Sequence, residues 1–385
     1  MSQRAPLQQG QLTEYLHRKA SAMLLPLSGT FELSPVCNFS CRMCYVRKTQ
    51  KQVNESPRRI LTLEDWLEIA RQAKEAGTLY LLLTGGEPLL WPDFWKLYEE
   101  LVDMGFIVSI NTNGSLIDEE AIARFRRRPP RRVNITLYGG SDATYLSLCG
   151  AEGVLSKVDR AIRGLRAAGI PVKLNCSLTP YNAGDLEWIV DYAKSLEVGL
   201  ALVTYMFPPI RRDESMIGVN DRFTAEEAAE YHMRYLRYSR DPETYQQLLQ
   251  GILEGTVEPP GLEEGCVDPV DGKIRCRAGK ASYWITWDGW LLPCGMMPEP
   301  RVDIMQMSFA EGWQKTCEAA ASLRLSGVCD QCPDSELCHS CAAMAYTETG
   351  SVSGIPTYLC RYADRIRQLA LQELDKKATE DIGNK

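Results

Sequence analysis

The sequence predicts an α/β fold with a parallel sheet, followed by a small cysteine-rich domain. Three observations predict it. Six β-type runs alternate with amphipathic helical stretches between Thr30 and Phe207, and right-handed crossovers in such a series bury both faces of a parallel sheet. Three cysteines, Cys37, Cys41 and Cys44, gather where the first run ends. After Gly265 the composition changes: eight cysteines fall between Cys266 and Cys341, and a ninth is Cys360.

Thr30–Cys37 is the first strand and delivers the cysteine loop. Leu63–Ala76 is a helix with Thr62 and Asp65 as cap partners and Gly77 as its stop. Leu79–Thr84 is a buried strand ending in Gly85-Gly86-Glu87-Pro88. Phe94–Met104 is a helix and Ile107–Thr112 a strand, ending at Asn113-Gly114. Glu119–Arg127 and Val154–Ala168 are helices that precede the strands Val133–Tyr138 and Val172–Leu178. Asp185–Leu196 is a helix and Leu200–Phe207 the sixth strand. Six units are too few for a closed eight-fold barrel. Thr224–Arg240 is a further helix. The stretch from Gly251 to Gly265 is rich in Gly, Pro and Glu and reads as a linker. Tyr283–Trp287 and Trp290–Leu292 flank Asp288-Gly289, a hairpin signal. Trp313–Leu323 and Leu359–Leu374 are helical, and the charged tail to Lys385 frays. The domains expected are an N-terminal segment (1–29), the α/β domain (30–240), a linker (241–265), the cysteine-rich domain (266–370) and a tail (371–385).

At 385 residues and 45% hydrophobic, the chain can bury one large core and a smaller domain. A net charge of −7 argues against nonspecific nucleic-acid binding, which wants a basic surface. No run approaches the roughly 18 consecutive apolar residues of a membrane span, and Met1 to Gly29 has no signal-peptide pattern. Fourteen cysteines without a secretion signal point to metal ligation in a cytoplasmic protein that needs anaerobic conditions.

In Cys37-Asn38-Phe39-Ser40-Cys41-Arg42-Met43-Cys44-Tyr45, three thiolates fit one tight loop able to wrap an iron–sulfur cube. Three ligands leave one of four irons open. A structural zinc site needs four ligands, and no fourth Cys or His lies nearby. CxxxCxxC followed by an aromatic resembles the signature of the radical S-adenosylmethionine (radical SAM) enzymes. The resemblance implies an open, partial (β/α)6 barrel. It also implies a [4Fe–4S] cluster on Cys37, Cys41 and Cys44 whose open iron chelates S-adenosylmethionine (SAM), with Tyr45 beside the adenine.

Gly85-Gly86-Glu87-Pro88 resembles the family's GGE motif, which holds the SAM amino group; glycines allow close backbone approach and Glu87 can pair with an ammonium. Asn111, Thr112 and Asn113 end the third strand, where related enzymes shape the pocket near SAM; as turn-forming amides they have a structural reading too. Where relatives carry an acidic residue after the fourth strand, this chain has Tyr138-Gly139-Gly140, and Cys149-Gly150 replaces an Arg that binds the SAM carboxylate. Arg211 or Arg212 is the substitute expected. Cys149 and Cys176 fit no cluster spacing. Each reads as a small buried hydrophobe, or Cys149 as a hydrogen-atom donor facing substrate.

Cys276, Gly289 and Cys294, then Cys329-x2-Cys332-x5-Cys338-x2-Cys341 and Cys360, would read alone as a zinc ribbon. With the barrel they resemble a SPASM domain, the extension of radical SAM enzymes that carries one or two auxiliary [4Fe–4S] clusters. By position Cys276, Cys294 and Cys341 bind the first, with Cys266 as candidate fourth ligand. Cys329, Cys332, Cys338 and Cys360 bind the second. The short Cys338–Cys341 spacing departs from the family, and Cys317 reads as core.

The function expected is a radical SAM/SPASM enzyme that oxidatively modifies a peptide or protein, closing a thioether or carbon–carbon link as maturases of ribosomally made peptides do. Its partners are that substrate, a reductant such as flavodoxin or ferredoxin, and the SPASM region or a separate leader-binding protein for leader recognition, since the segment before the barrel leaves no room for a winged-helix domain. No nucleic acid and no membrane are expected. Peptide epimerase, sulfatase-maturating oxidase and haem-precursor decarboxylase are the alternatives, and only three histidines, His17, His232 and His339, give little support for haem ligation. An iron–sulfur or zinc scaffold is the non-enzymatic alternative.

Overall fold

The computed structural model describes residues 9–256, 274, 276–330 and 332–383. In chain order its main elements are α1 (Gln9–Met23), β1 (Ser28–Glu32), α2 (Leu63–Glu75), β2 (Tyr80–Thr84), α3 (Phe94–Asp103), β3 (Ile107–Thr112), α4 (Glu119–Arg127), β4 (Arg132–Thr136), α5 (Asp142–Cys149), α6 (Leu155–Ala167), β5 (Val172–Ser177), α7 (Leu186–Ser195), β6 (Gly199–Val203), α8 (Ala225–Ser239) and α9 (Pro242–Glu254). The C-terminal part adds β7 (Ser282–Ile285), β8 (Trp290–Leu292), β9 (Val302–Asp303), α10 (Phe309–Ser322), α11 (Ala342–Thr349) and α12 (Thr357–Gly383).

The six predicted units form a parallel sheet in the order β6-β5-β4-β3-β2-β1. Its helix-facing residues Phe31, Leu83, Ile110, Ile135 and Leu174 are fully buried. Outer helices cover the sheet with their apolar faces, Trp66 of α2 stacking on Phe31 at 4.8 Å between ring centroids. The α2 entry is the capping box read from the sequence, with Asp65 N–H donating to Thr62 Oγ1 at 3.3 Å and Thr62 N–H to Asp65 Oδ2 at 2.7 Å.

Three features depart from expectation. The C-terminal hairpin is part of the same sheet: β7 pairs parallel with the free edge of β1, Ser28 opposite Ser282 and Phe31 opposite Ile285, and β8 and β9 continue antiparallel. Gly29 makes this possible, since a Cβ there would sit 2.4 Å from the Tyr283 ring. Residues 242–254, expected to belong to a linker, form α9, started by Asp241 capping Thr244 N–H at 2.9 Å with Pro242 in the first turn. The last helix continues to Gly383 through the expected tail. α8, α9 and α12 share a small core of Met233, Leu249, Ile252, Ile366 and Ala370. Among the described residues no helix is long and apolar enough to cross a membrane.

Candidate active site

The cysteine loop leaves β1 and is pinned from two sides. The last carbonyls of α5 receive it: Ser40 N–H donates to Cys149 O at 2.7 Å and Arg42 N–H to Leu148 O at 3.1 Å. The end of β2 packs under it, with Gly86 N–H to Ser34 O at 2.7 Å and Glu87 N–H to Val36 O at 3.0 Å. Both glycines are required here, because a Cβ on Gly85 or Gly86 would lie 2.4 Å from the carbonyl oxygen of Ser34 or Val36.

Cys37, Cys41 and Cys44 line one cavity of about 680 Å³, together with Tyr45, Gly85, Gly86, Asn111, Thr112 and Asn113. Backbone N–H groups point at two of the sulfurs, Phe39 to Cys37 Sγ and Arg47 to Cys44 Sγ, each at 3.3 Å. Asn113 Nδ2 adds a third, to Cys37 Sγ at 3.8 Å, while donating to Asn38 Oδ1 at 2.9 Å. Burial pushes the Cys37 thiol up to about 12 and the Cys44 thiol up as well. Two such buried thiols ionise only with cationic metal beside them. Among the described residues no three His, Cys, Asp or Glu side chains converge on a single-ion site. The second fact suits a multi-iron cluster, whose ligands sit on separate irons, better than one zinc ion.

Glu87 departs from the role expected of it. It is fully buried and is not among the cavity's lining residues. Oε1 accepts Thr112 Oγ1–H at 2.8 Å and Leu89 N–H at 3.2 Å, and Oε2 accepts Asn113 N–H at 2.8 Å. Its oxygens are therefore engaged with protein donors rather than offered to an ammonium, and desolvation raises its pKa to about 7. The glycines press the backbone onto the loop, and the side chain turns beneath β3. Asn111 faces the cavity while its Oδ1 accepts Asn134 Nδ2–H at 2.7 Å.

Cys149 also departs. It ends α5, fully buried and outside the cavity lining. Its thiol, kept protonated by burial, hydrogen-bonds Cys41, and this bond is the main cause holding Cys41 below its ordinary value. That position buttresses a loop cysteine and does not open onto the cavity. Cys176 is core on β5, and Cys317 is core on α10. Arg211 is held by a buried bidentate pair with Glu32, and Arg212 does not line the cavity.

The same cavity runs on to the C-terminal region, where Cys276, Cys338 and Cys341 lie on its wall. Cys294 and Cys276 both act electrostatically on Cys341, whose buried thiol is pushed up to about 12 by desolvation first. Cys329, Cys332, Cys338 and Cys360 line one further cavity of about 70 Å³, so the four cysteines of the expected second auxiliary set meet at one place. Cys266 lies outside the described residues.

Three helices that sequence reasoning did not assign to a site complete the large cavity. Each contributes an i,i+4 pair: His232 and Leu236 of α8, Leu248 and Ile252 of α9, Tyr362 and Ile366 of α12. Amphipathic spacing signals such faces without saying what they cover. The His232 ring is tilted against Tyr362 at 6.0 Å. Burial, helped by Arg240, lowers its pKa to about 4, so it is neutral at pH 7. Among the described residues Arg47 is the one lining residue with a fixed charge, and no carboxylate lines the cavity.

Residues 31–193 match the profile of the Radical SAM superfamily. They form a radical SAM domain. The family implies a [4Fe–4S] cluster and SAM, and the loop cysteines with their amide donors fit that cluster. Over 333 residues the chain is 25% identical to an AdoMet-dependent heme synthase from Methanosarcina barkeri, covering 83% of this chain and 92% of that one. Two solved structures share the fold. The structure described as anSMEcpe with bound AdoMet has a TM-score of 0.65 at 19% identity, over 92% of this chain and 96% of the other. Streptococcus suis SuiB bound to its precursor peptide SuiA has a TM-score of 0.63 at 17% identity, over 94% and 83%. The cysteine loop of the radical SAM domain thus shares one cavity with Cys276, Cys338 and Cys341 of the C-terminal region.

Proposed function

We propose that this chain is a radical SAM oxidase that modifies a peptide or protein segment held between its two cysteine groups. One observation carries the reading: Cys37, Cys41 and Cys44 share a cavity wall with Cys276, Cys338 and Cys341. When bound, the reduced cluster and SAM supply a hydrogen-abstracting 5′-deoxyadenosyl radical, and auxiliary clusters supply an exit for an electron.

The chain's own residues do the rest. The Gly85-Gly86 backbone and Asn111 and Asn113 shape the SAM end, and Phe39 and Tyr138 wall it against water. The i,i+4 pairs of α8, α9 and α12 hold apolar substrate groups by burial. An oxidative cross-link removes a hydrogen atom, an electron and a proton from the substrate. Of the two histidines that line the cavity, His232 and His339, we assign His232, neutral at pH 7, to take the proton. A flavodoxin or ferredoxin supplies the reducing electron, and leader recognition falls to the C-terminal region or a separate protein.

A tetrapyrrole is the second reading, favoured by the heme synthase relative that aligns over most of both chains. Among the described residues Arg47 is the single lining cation, and one guanidinium fits a tetrapyrrole's several carboxylates poorly. The test is anaerobic incubation of the reduced, cluster-loaded enzyme with SAM and either a short peptide encoded beside its gene or an iron porphyrin bearing propionates. Loss of two hydrogens per site in the peptide supports the proposal, with 5′-deoxyadenosine released alongside. Loss of carbon dioxide from the porphyrin and none of hydrogen from the peptide supports the second reading. Deuterium gained from heavy water without hydrogen loss means epimerisation.

A further inference from the structure

The fourth unit of this radical SAM domain lacks the arginine expected to meet the carboxylate of SAM, and the substitute expected, Arg211, is spent on Glu32 and the Gly295 carbonyl. Another guanidinium is placed better. Arg47 follows Cys44 by three residues and lines the cavity on the side of the cysteine loop. Its backbone N–H is used by Cys44 Sγ, but its Nε is buried and has no hydrogen-bond partner. Among the described residues no carboxylate is paired with it, and Asp221 is taken by Arg42 of the same loop. Its charge reaches Cys41, adding to the stronger hydrogen bond from Cys149.

A buried guanidinium donor left unpaired is unfavourable, and a planar carboxylate is the partner its fork geometry fits. Among the described residues no Asp or Glu lines this cavity, so the anion that fits is one brought by a ligand. It must also bind at the cysteine-loop end. We propose that Arg47 binds the carboxylate of the methionine moiety of SAM. This rests on the radical SAM reading of the domain and on nothing about the final substrate. A carboxylate of that substrate offers the same chemistry, and the experiment separates the two sources.

The experiment is anaerobic calorimetry on the cluster-loaded enzyme with two probes, S-adenosylhomocysteine, which has the amino-acid carboxylate, and 5′-methylthioadenosine, which lacks it. Iron content is measured on every sample. Wild type is expected to bind S-adenosylhomocysteine the more tightly. Arg47→Gln is expected to weaken that probe about ten- to a hundredfold, the worth of a charge-assisted pair, and to leave 5′-methylthioadenosine unchanged. Arg47→Lys, which keeps the charge without the fork, is expected to recover part of the difference. Equal weakening of both probes, or no weakening of either, overturns the proposal; the second result hands Arg47 to a substrate carboxylate. If Arg47→Gln loses iron, the ratio of the two affinities in Arg47→Lys decides, and an unchanged ratio overturns it. Wild type that binds neither probe fails the radical SAM reading instead.

Discussion

Arg211 grips Glu32 at both carboxylate oxygens, Nη1 to Oε2 and Nη2 to Oε1, each at 2.9 Å. Trp284 Nε1 donates to the same Oε2 at 2.8 Å. Glu32 ends β1, Arg211 follows β6 and Trp284 lies on β7, so one buried carboxylate ties the two ends of the parallel sheet to the C-terminal hairpin. A buried ion pair is costly to break from one side and cheap to replace whole. Arg211→Ala is expected to lose about 3–5 kcal/mol of unfolding free energy. Arg211→Met combined with Glu32→Leu should regain most of it in the same denaturant titration. An Arg211→Ala protein as stable as wild type would show that the fork is not a closure of the sheet.

Glu87 makes stability depend on pH in an unusual direction. Desolvation raises its folded pKa to about 7 from an ordinary 4.5, so between those values the folded state holds a proton that the unfolded state has released. Its contribution is complete below about pH 4.5 and is lost as pH rises through about 7. Glu87→Gln should flatten that part of the stability profile, measured by unfolding midpoints across the window. The amide nitrogen cannot accept Asn113 N–H, so the variant should also bind S-adenosylhomocysteine about tenfold more weakly.

His232 shifts the other way. Its folded pKa near 4 lies below the ordinary 6.5, so the unfolded state binds the proton first, and stability falls as pH drops from about 6.5 to about 4. His232→Gln should blunt this acid sensitivity. In turnover it should slow product formation by about a hundredfold, the worth of a general base, while 5′-deoxyadenosine still appears. Equal slowing of both would mean that the ring positions SAM or the loop rather than taking a proton.

Much of this architecture was legible because it is local. The Thr62–Asp65 cap, the β-then-α alternation and the Asp288-Gly289 turn each declare themselves within a few residues, and CxxxCxxC fits one loop. What was not legible depends on distant partners. Gly29 looks like any strand residue until Tyr283 lies over it. Glu87 reads as a ligand until both its oxygens are found occupied, and Arg211 reads as a free cation until Glu32 comes beneath it. Cys149 carries no spacing signal and gains its position only because α5 ends against the cysteine loop. The i,i+4 pairs of α8, α9 and α12 are visible as apolar faces, but the cavity they share is assembled by helix packing across more than a hundred residues of chain.

In the proposed reaction, substrate lies between two cysteine groups and loses its electron toward the second. Cys338 lines both cavities, so Cys338→Ala tests this most directly. The measurement is the ratio of modified peptide to 5′-deoxyadenosine in anaerobic turnover of the cluster-loaded variant. Continued release of 5′-deoxyadenosine is expected, with no peptide lighter by two hydrogens. A Cys338→Ala enzyme that makes that product in the wild-type ratio would contradict it.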